Sequence, residues 1–160
     1  KEAAEVGFLA TSTIMYGSVE TAEYRARHLA ILREIQDETG VFTELVPLSF
    51  LHKNTPLERA GLVNHDATGR DDILLVAVSR LFLDNIENIQ VPWSKIGRKM
   101  TQLCLMAGGN DVGGTMFVDA LSTDAGAGDE ADYFSPEAME LMCADIGRTL
   151  RQRDTLYNLI

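Results

Sequence analysis

Short β-prone runs alternate with longer helical stretches along this chain, at a repeat of roughly 30 to 40 residues. The β-prone runs are residues 10–16, 42–50, 88–93 and 112–118. Strands that alternate with helices form right-handed βαβ units, which build a parallel sheet. Four strands in 160 residues predict half of an eight-stranded (β/α) barrel, because a complete barrel takes about 250 residues. A small open α/β domain is the alternative that periodicity leaves open.

Capping residues predict where the helices begin and end. Thr21 is expected to cap a helix that stops at Gly40, while Thr68, Ser94 and Ser135 are expected to open three later helices. Apolar residues at helical spacing predict the buried faces of the first two long helices. These are Tyr24, His28, Ile31, Leu32 and Ile35 in the first, and Ile73, Leu74, Ala77, Val78, Leu81 and Phe82 in the second.

Composition narrows the functional classes. A net charge of −10 disfavours general nucleic-acid binding, which needs a basic face. No apolar run approaches the ~20 residues that span a bilayer, and no signal peptide is present, so we expect a cytoplasmic protein. A start without Met, within a helical pattern, suggests a piece of a longer chain. The acidic balance indicates either a well-solvated surface or a salt-adapted source.

The carboxyl ends of parallel strands carry the site in either fold, which points to residues 16–20, 49–54, 90–95 and 115–119. Gly17 would let a ligand approach the backbone, with Glu20 as a hydrogen-bond acceptor, or Glu20 would only complement the helix dipole. His52 would transfer protons or orient a substrate, or be an ordinary loop residue. Trp93 would stack on a flat ring or lie in the core.

Two further patterns limit the chemistry. Residues 110–115 (NDVGGT) place two glycines in a strand, which indicates a bulge or close backbone packing, or else a tight turn. Cys104 and Cys143 lie in apolar helical patterns and are expected to be buried. They are too few for a metal-ligand motif, and Walker A, GxGxxG, GxSxG and HExxH motifs are absent from the sequence.

Five segments in the same order resemble the second subunit of deazariboflavin (FO) synthase, a family of radical S-adenosylmethionine (SAM) enzymes. They are residues 13–20 (TIMYGSVE), 43–52 (TELVPLSFLH), 88–95 (NIQVPWSK), 109–115 (GNDVGGT) and 151–157 (RQRDTLY). The first is similar to the GxIxGxxE-type segment on the fifth strand of radical SAM barrels. Related futalosine-pathway enzymes of menaquinone biosynthesis share much of this pattern and are the alternative.

The resemblance implies a fold, cofactors and substrates. Residues 1–160 would be the C-terminal part of a radical SAM (β/α) barrel, with a C-terminal helical extension. The cluster-binding N-terminal half would be missing, so the fragment would be inactive alone. A [4Fe-4S] cluster, with ligands outside this chain, would cleave SAM, and the resulting radical would act on tyrosine. The 4-hydroxybenzyl group would then be transferred to 5-amino-6-(ribitylamino)uracil.

The resemblance also assigns residues. Those expected at the SAM site are Thr13, Met15, Tyr16, Gly17, Glu20, Val46 and Pro47. Those expected on the substrate side are His52, Gln90, Trp93, Asn110, Asp111 and Thr115. The other FO synthase subunit is a candidate partner, while nucleic acid and membranes are not expected. A non-catalytic α/β binding module is the alternative from another functional class.

Overall fold

The computed structural model describes residues 1–115, 120–125 and 133–160. Helices and strands alternate, as the sequence predicts. The strands are β1 (Ala10–Tyr16), β2 (Phe42–Ser49) and β3 (Asn88–Ile89). The helices are α1 (Glu2–Glu5), α2 (Ala22–Thr39), α3 (Pro56–Arg59), α4 (Gly69–Phe82), α5 (Trp93–Met106), α6 (Ala120–Asp124) and α7 (Pro136–Ala144). Within these described residues, no helix is long and apolar enough to cross a membrane.

The three strands form a parallel sheet in the order β1-β2-β3. The α/β class with a parallel sheet is therefore confirmed. The expected fourth strand over residues 112–118 is not: Gln90 and Asp111 form an isolated parallel bridge, and residues 112–115 have no strand geometry. Residues 116–118 lie outside the described part of the chain. Strand β1 lies at one edge of the sheet, with β2 as its only neighbour in the described order.

Helix ends follow the local sequence. The side chain of Thr21 accepts a hydrogen bond from Tyr24 N, and Gly40 ends α2 in the left-handed conformation with φ of 60°. Thr68 and Asp71 form a reciprocal capping box at the start of α4. Ser135 caps α7. The expectation for Ser94 is wrong, because α5 begins at Trp93 and its N-cap position is Pro92, without a side-chain hydrogen bond.

The buried face predicted for α4 is wrong, and that predicted for α2 is fully buried only at Leu32. Helix α2 buries Leu29 and Leu32, and Tyr24 and Ile31 are exposed. Helix α4 buries Asp72, Leu75, Val76 and Ser79, while Leu74, Val78, Leu81 and Phe82 are exposed. Both helices carry apolar residues around most of their circumference, so spacing alone does not distinguish the face that meets the sheet.

The sheet has one covered face and one open face. Register partners in neighbouring parallel strands point to the same side of the sheet. Two such pairs, Ile14 with Pro47 and Tyr16 with Ser49, share one side. These residues are buried in the core with Leu75 of α4. The alternate residues of β1 and β2 form what we call the open face: Thr11, Thr13, Met15, Glu44, Val46 and Leu48. Thr11, Thr13 and Met15 are exposed there.

Candidate functional site

The turn after β1 is built around the carboxylate of Glu20. It accepts hydrogen bonds from Gly17 N at 2.6 Å, from Ser18 N at 2.9 Å and from Ser18 Oγ at 2.9 Å. Burial opposes ionisation of Glu20, but these hydrogen bonds outweigh it and lower its pKa to about 2. Gly17 has a φ of 88°, and a Cβ at this position would overlap with Ala67. The turn is therefore shaped by Glu20 and requires glycine at position 17.

A guanidinium connects this turn to helix α4. Arg25 donates from Nε to Glu20 at 2.8 Å and from a terminal nitrogen to Asp71 at 2.8 Å. The pKa of Asp71 is lowered to about 2, first by its hydrogen bond from Thr68 and then by that from Arg25. Both oxygens of Glu20 accept hydrogen bonds within the chain. The N–H groups of Gly17 and Ser18 are paired with the same carboxylate, so neither these two donors nor Glu20 is left open to a ligand in this turn.

Apart from Gly17 and Glu20 in the turn, the structure separates the residues expected at the SAM site into two groups. Thr13, Met15 and Val46 lie on the open face, where Met15 is 58% exposed. Tyr16 and Pro47 are buried on the helix-covered face. The hydroxyl of Tyr16 donates to Asp72 at 2.7 Å. Burial of Tyr16 and the neighbouring Asp72 both raise the tyrosine pKa, so this hydroxyl remains a neutral donor inside the core.

His52 lies at the carboxyl end of β2 and is held by Asp66. One oxygen of Asp66 accepts from the backbone nitrogen of His52 at 2.8 Å and contacts its Nδ1 at 2.7 Å. Burial of Asp66 opposes its ionisation, but the hydrogen bonds from His52 outweigh it and lower the pKa of Asp66. The His52 side chain is 14% exposed, and its Nε2 is 3.8 Å from Glu58 Oε1.

A polar cluster occupies the amino-terminal part of the open face. Glu44 accepts from Thr11 Oγ1 at 3.0 Å, from Gln90 Nε2 at 3.1 Å and from the hydroxyl of Tyr157 at 2.6 Å. Burial and the hydrogen bond to Glu44 raise the pKa of Tyr157. Tyr157 comes from the C-terminal segment, so this segment crosses the open face of the sheet.

Arg153 supplies the positive charge of this cluster. Its Nε donates to Asp111 Oδ2 at 2.7 Å, and its guanidinium lies 4.2 Å from the centre of the Tyr157 ring. The side chains of Asp111 and Glu44 are only 7% and 11% exposed. The hydrogen bond with Asp111 raises the pKa of Arg153, and together with the nearby negative charges it outweighs burial, which opposes the charged form. The guanidinium therefore compensates two carboxylates that are nearly removed from water.

A cavity of 1310 Å³ borders the cluster and contains several predicted residues. Four residues expected on the substrate side line it: Gln90, Asn110, Asp111 and Thr115. Glu44, Arg153 and Tyr157 also line it, and sequence reasoning assigned them no site role. The available signals were a charged residue inside the apolar run of β2 and the closing Arg-Gln-Arg segment.

Trp93 and Asn110, both expected on the substrate side, make hydrogen bonds within the fold. Trp93 is 3% exposed, donates from its indole nitrogen to Gly114 O at 2.9 Å, and meets Phe134 edge to face at 5.5 Å. Its ring is packed in the core rather than open for stacking. Asn110 Oδ1 accepts from Ile89 N and from Arg80, both at 2.8 Å. These contacts place Asn110 at the start of the bridge to β3, away from the carboxyl ends of the strands.

The chain's own residues do not fit an iron–sulfur cluster. Cys104 and Cys143 are buried in the core, and burial raises the pKa of both thiols, that of Cys104 to about 12. Within the described residues, no group of His, Cys, Asp and Glu has the arrangement of a metal site. Fe–S clusters are held by thiolates, and the expectation that both cysteines are buried is confirmed.

Comparison with known proteins gives consistent results. A family model described as the CofH/MqnC C-terminal region matches residues 39–159. A 5-amino-6-(D-ribitylamino)uracil–L-tyrosine 4-hydroxyphenyl transferase of Methanoculleus marisnigri is 56% identical over 160 residues, which are 100% of this chain and 43% of the relative. A protein of the same name from Methanosphaerula palustris is 57% identical over 99% of this chain and 43% of the relative.

A more distant relative of the same name, from Methanocaldococcus jannaschii, is 44% identical over 100% of this chain and 45% of its own length. The chain thus spans somewhat less than half the length of these relatives. The resemblance inferred from the five segments is confirmed, and the chain belongs to the family of the CofH/MqnC C-terminal region.

Proposed function

We propose that this chain is the C-terminal part of a radical SAM transferase of deazaflavin (coenzyme F-420) biosynthesis. The enzyme would transfer the 4-hydroxybenzyl group of tyrosine to 5-amino-6-(ribitylamino)uracil. The observation that carries this proposal is 56% identity, over the whole chain, to a relative named for a transferase with these two substrates. In this proposal the three-stranded sheet is a segment of a (β/α) barrel, and the open face lines the barrel interior.

Each cofactor has a different relation to this chain. A [4Fe-4S] cluster would depend on residues outside the chain, because both cysteines are buried in the core. SAM fits the open face, where Thr13, Met15 and Val46 offer a hydroxyl and two apolar side chains beside the Gly17 turn. When bound, the two groups together would supply the radical that starts the reaction.

The chain itself would contribute binding and exclusion of water. The backbone carbonyl groups of residues 17–19 would meet the polar part of SAM, since the oxygens of Glu20 are already paired with Arg25 and with the N–H groups of Gly17 and Ser18. The C-terminal segment would close the amino-terminal end of the barrel through Tyr157 and Arg153. A closed interior protects a reactive intermediate from water.

The second candidate function is that of a futalosine-pathway enzyme of menaquinone biosynthesis. The observation that favours it is the family description, which covers both CofH and MqnC and so does not separate the two groups. The curated relatives favour the transferase, since the three described above carry that name.

The test uses the full-length protein, purified without oxygen and with its cluster reconstituted. It is incubated with SAM, a reductant, tyrosine and 5-amino-6-(ribitylamino)uracil, and products are identified by mass spectrometry. A hydroxybenzyl adduct of the uracil that requires tyrosine supports the transferase. SAM cleavage only with a futalosine-type substrate supports the second candidate. The absence of any SAM cleavage would favour a non-catalytic binding module.

A matched pair of variants tests whether the open face is part of the site. Met15 on the open face and Met106 on helix α5 are 58% and 65% exposed, so Met→Glu at either position places a new charge in a similarly exposed location. We expect Met15→Glu to abolish product formation and Met106→Glu to leave it within about twofold of wild type, since surface changes have small effects. Equal activity of the two variants would contradict the assignment of the open face.

A further inference from the structure

An imidazole nitrogen and a carboxylate oxygen face each other at the carboxyl end of β2, at a distance too long for a direct hydrogen bond. Nε2 of His52 and Oε1 of Glu58 are 3.8 Å apart. The His52 side chain is 14% exposed and that of Glu58 is 38% exposed, so solvent reaches the pair from the Glu58 side.

The contact on the other side of the ring determines the role of Nε2. Nδ1 of His52 is 2.7 Å from Asp66 Oδ1, which also accepts the backbone N–H of His52 at 2.8 Å. A carboxylate can only accept, so Nδ1 must carry the hydrogen. In the neutral ring Nε2 therefore presents a lone pair toward Glu58, and the carboxylate there has no hydrogen to offer.

Glu58 is held in place by its other oxygen. Its Oε2 accepts from the backbone nitrogen of Asn54 at 2.7 Å, and its own backbone nitrogen donates to the Thr55 side chain at 3.2 Å. These contacts close the amino-terminal turn of α3 in the manner of a capping box. Oε1 remains directed at the imidazole, where two acceptors without a proton between them would repel each other.

This pair lies where loops from three parts of the sheet meet. Asn54 Nδ2 donates to the backbone oxygen of Asp124, the last residue of α6, at 2.6 Å. Ala67, next to Asp66, packs against Gly17 in the turn after β1. The carboxyl ends of parallel strands are where ligands bind in such folds, so the pair belongs to the end of the molecule that carries the site.

We propose that His52 Nε2 and Glu58 Oε1 bind a primary ammonium group, which is the α-ammonium of the amino-acid substrate. A nitrogen placed about 2.8 Å from each acceptor would donate one hydrogen to the imidazole and one to the carboxylate. Asp66 and Asn54 act as positioning residues that hold these acceptors. The proposal rests on the proposed function, which makes tyrosine the substrate, and adds the group by which tyrosine is oriented.

The experiment measures binding to the full-length enzyme, loaded with cluster and SAM but without reductant, so that no turnover occurs. The probes are tyrosine and 3-(4-hydroxyphenyl)propanoate, which lacks only the amino group. We expect Glu58→Gln to weaken tyrosine binding by about tenfold or more and to leave the desamino compound unchanged. Because the variant keeps an oxygen for Asn54 N, unchanged binding of the desamino compound also shows that the site is folded. Glu23→Gln, at an exposed position of α2, is the matched control and should change neither affinity.

Two results would overturn the proposal. The first is equal affinity of wild type for the two probes, and the second is equal loss of affinity for both in Glu58→Gln. If wild type still forms the hydroxybenzyl adduct in either of these cases, the proposed function stands and only the ammonium site fails. If wild type neither binds nor converts tyrosine, both proposals fail.

Discussion

Replacement of Arg153 by Met should destabilise the protein because it removes the cation from a nearly buried cluster. Arg153 contacts Asp111 at 2.7 Å and lies 3.9 Å from Glu44. The two carboxylates are 7% and 11% exposed, whereas the guanidinium is 24% exposed. Met keeps the length of the apolar stem, so the substitution tests the charge and its hydrogen bonds more than packing.

The expected loss follows from the burial of the two acids. Removal of one partner from a buried ion pair costs about 3 to 5 kcal/mol, because the remaining charge is uncompensated. The partial exposure of Arg153 reduces the effect, which gives about 3 kcal/mol of unfolding free energy. With an m value of about 3 kcal/mol/M, the midpoint of urea unfolding should fall by about 1 M.

The assay is urea unfolding of the full-length protein at pH 7, followed by far-ultraviolet circular dichroism. Arg151→Met is the matched control, since Arg151 is an exposed residue of the same segment and its loss changes net charge equally. We expect the control to lie within about 0.5 kcal/mol of wild type. Addition of Asp111→Asn to Arg153→Met should recover part of the loss, because one uncompensated charge is removed.

Equal midpoints for Arg153→Met and Arg151→Met would refute this reasoning. A double variant that is less stable by the full sum of both single losses would also contradict it, since Asp111 and Arg153 would then act independently.

Three other predictions rest on separate features. The pKa of Glu20 is about 2 in the folded protein against an ordinary value of 4.5, so ionised Glu20 stabilises the fold above pH 4.5 and this contribution is lost as pH falls toward 2. In wild type the unfolding free energy should therefore fall between pH 7 and pH 2.5, and Glu20→Gln should reduce that fall by about 2 to 3 kcal/mol. Gly17→Ala should lower the unfolding free energy by about 2 to 4 kcal/mol, because the new methyl group would be strained and would overlap with Ala67. Gly40 has open space around it, so Gly40→Ala should lower the unfolding free energy by only about 1 to 2 kcal/mol, and equal losses would contradict the close packing at Gly17. Cys104, with its pKa raised to about 12 by burial, should resist iodoacetamide at pH 8 until urea unfolds the protein, and rapid labelling of the folded enzyme, seen by mass spectrometry, would argue against its burial.

The candidate site was predictable only in its location. Motif positions identified the turn at Gly17 and the end of β2 at His52, and the structure brings these two together through the segment that contains Asp66 and Ala67. Sequence reasoning did not assign a partner to His52, because Asp66 is 14 residues away in a polar loop without a recognisable pattern. For Trp93 the residue type alone was misleading. A tryptophan suggests stacking on a ligand ring, but the surrounding residues bury Trp93 in the core.

Local features were determined by the sequence itself. Thr21, Thr68 and Ser135 cap their helices because a short polar side chain reaches backbone N–H groups two or three residues away, whatever the rest of the chain does. The same holds for Gly40, whose left-handed conformation suits the residue with no Cβ. The alternation of strands and helices likewise follows from the spacing of apolar residues along the sequence, and the parallel sheet follows from that alternation.

Tertiary structure alone decided which residues meet over long distances. The apolar residues of α4 cover most of the helix, and contact with the sheet selects Leu75 and Val76 for burial instead of Leu74 and Val78. Tyr157 reaches Glu44 across 113 residues of sequence, a contact that no local spacing encodes. Helix caps depend on a few neighbouring atoms, whereas buried faces and polar clusters depend on where the whole chain places its surfaces.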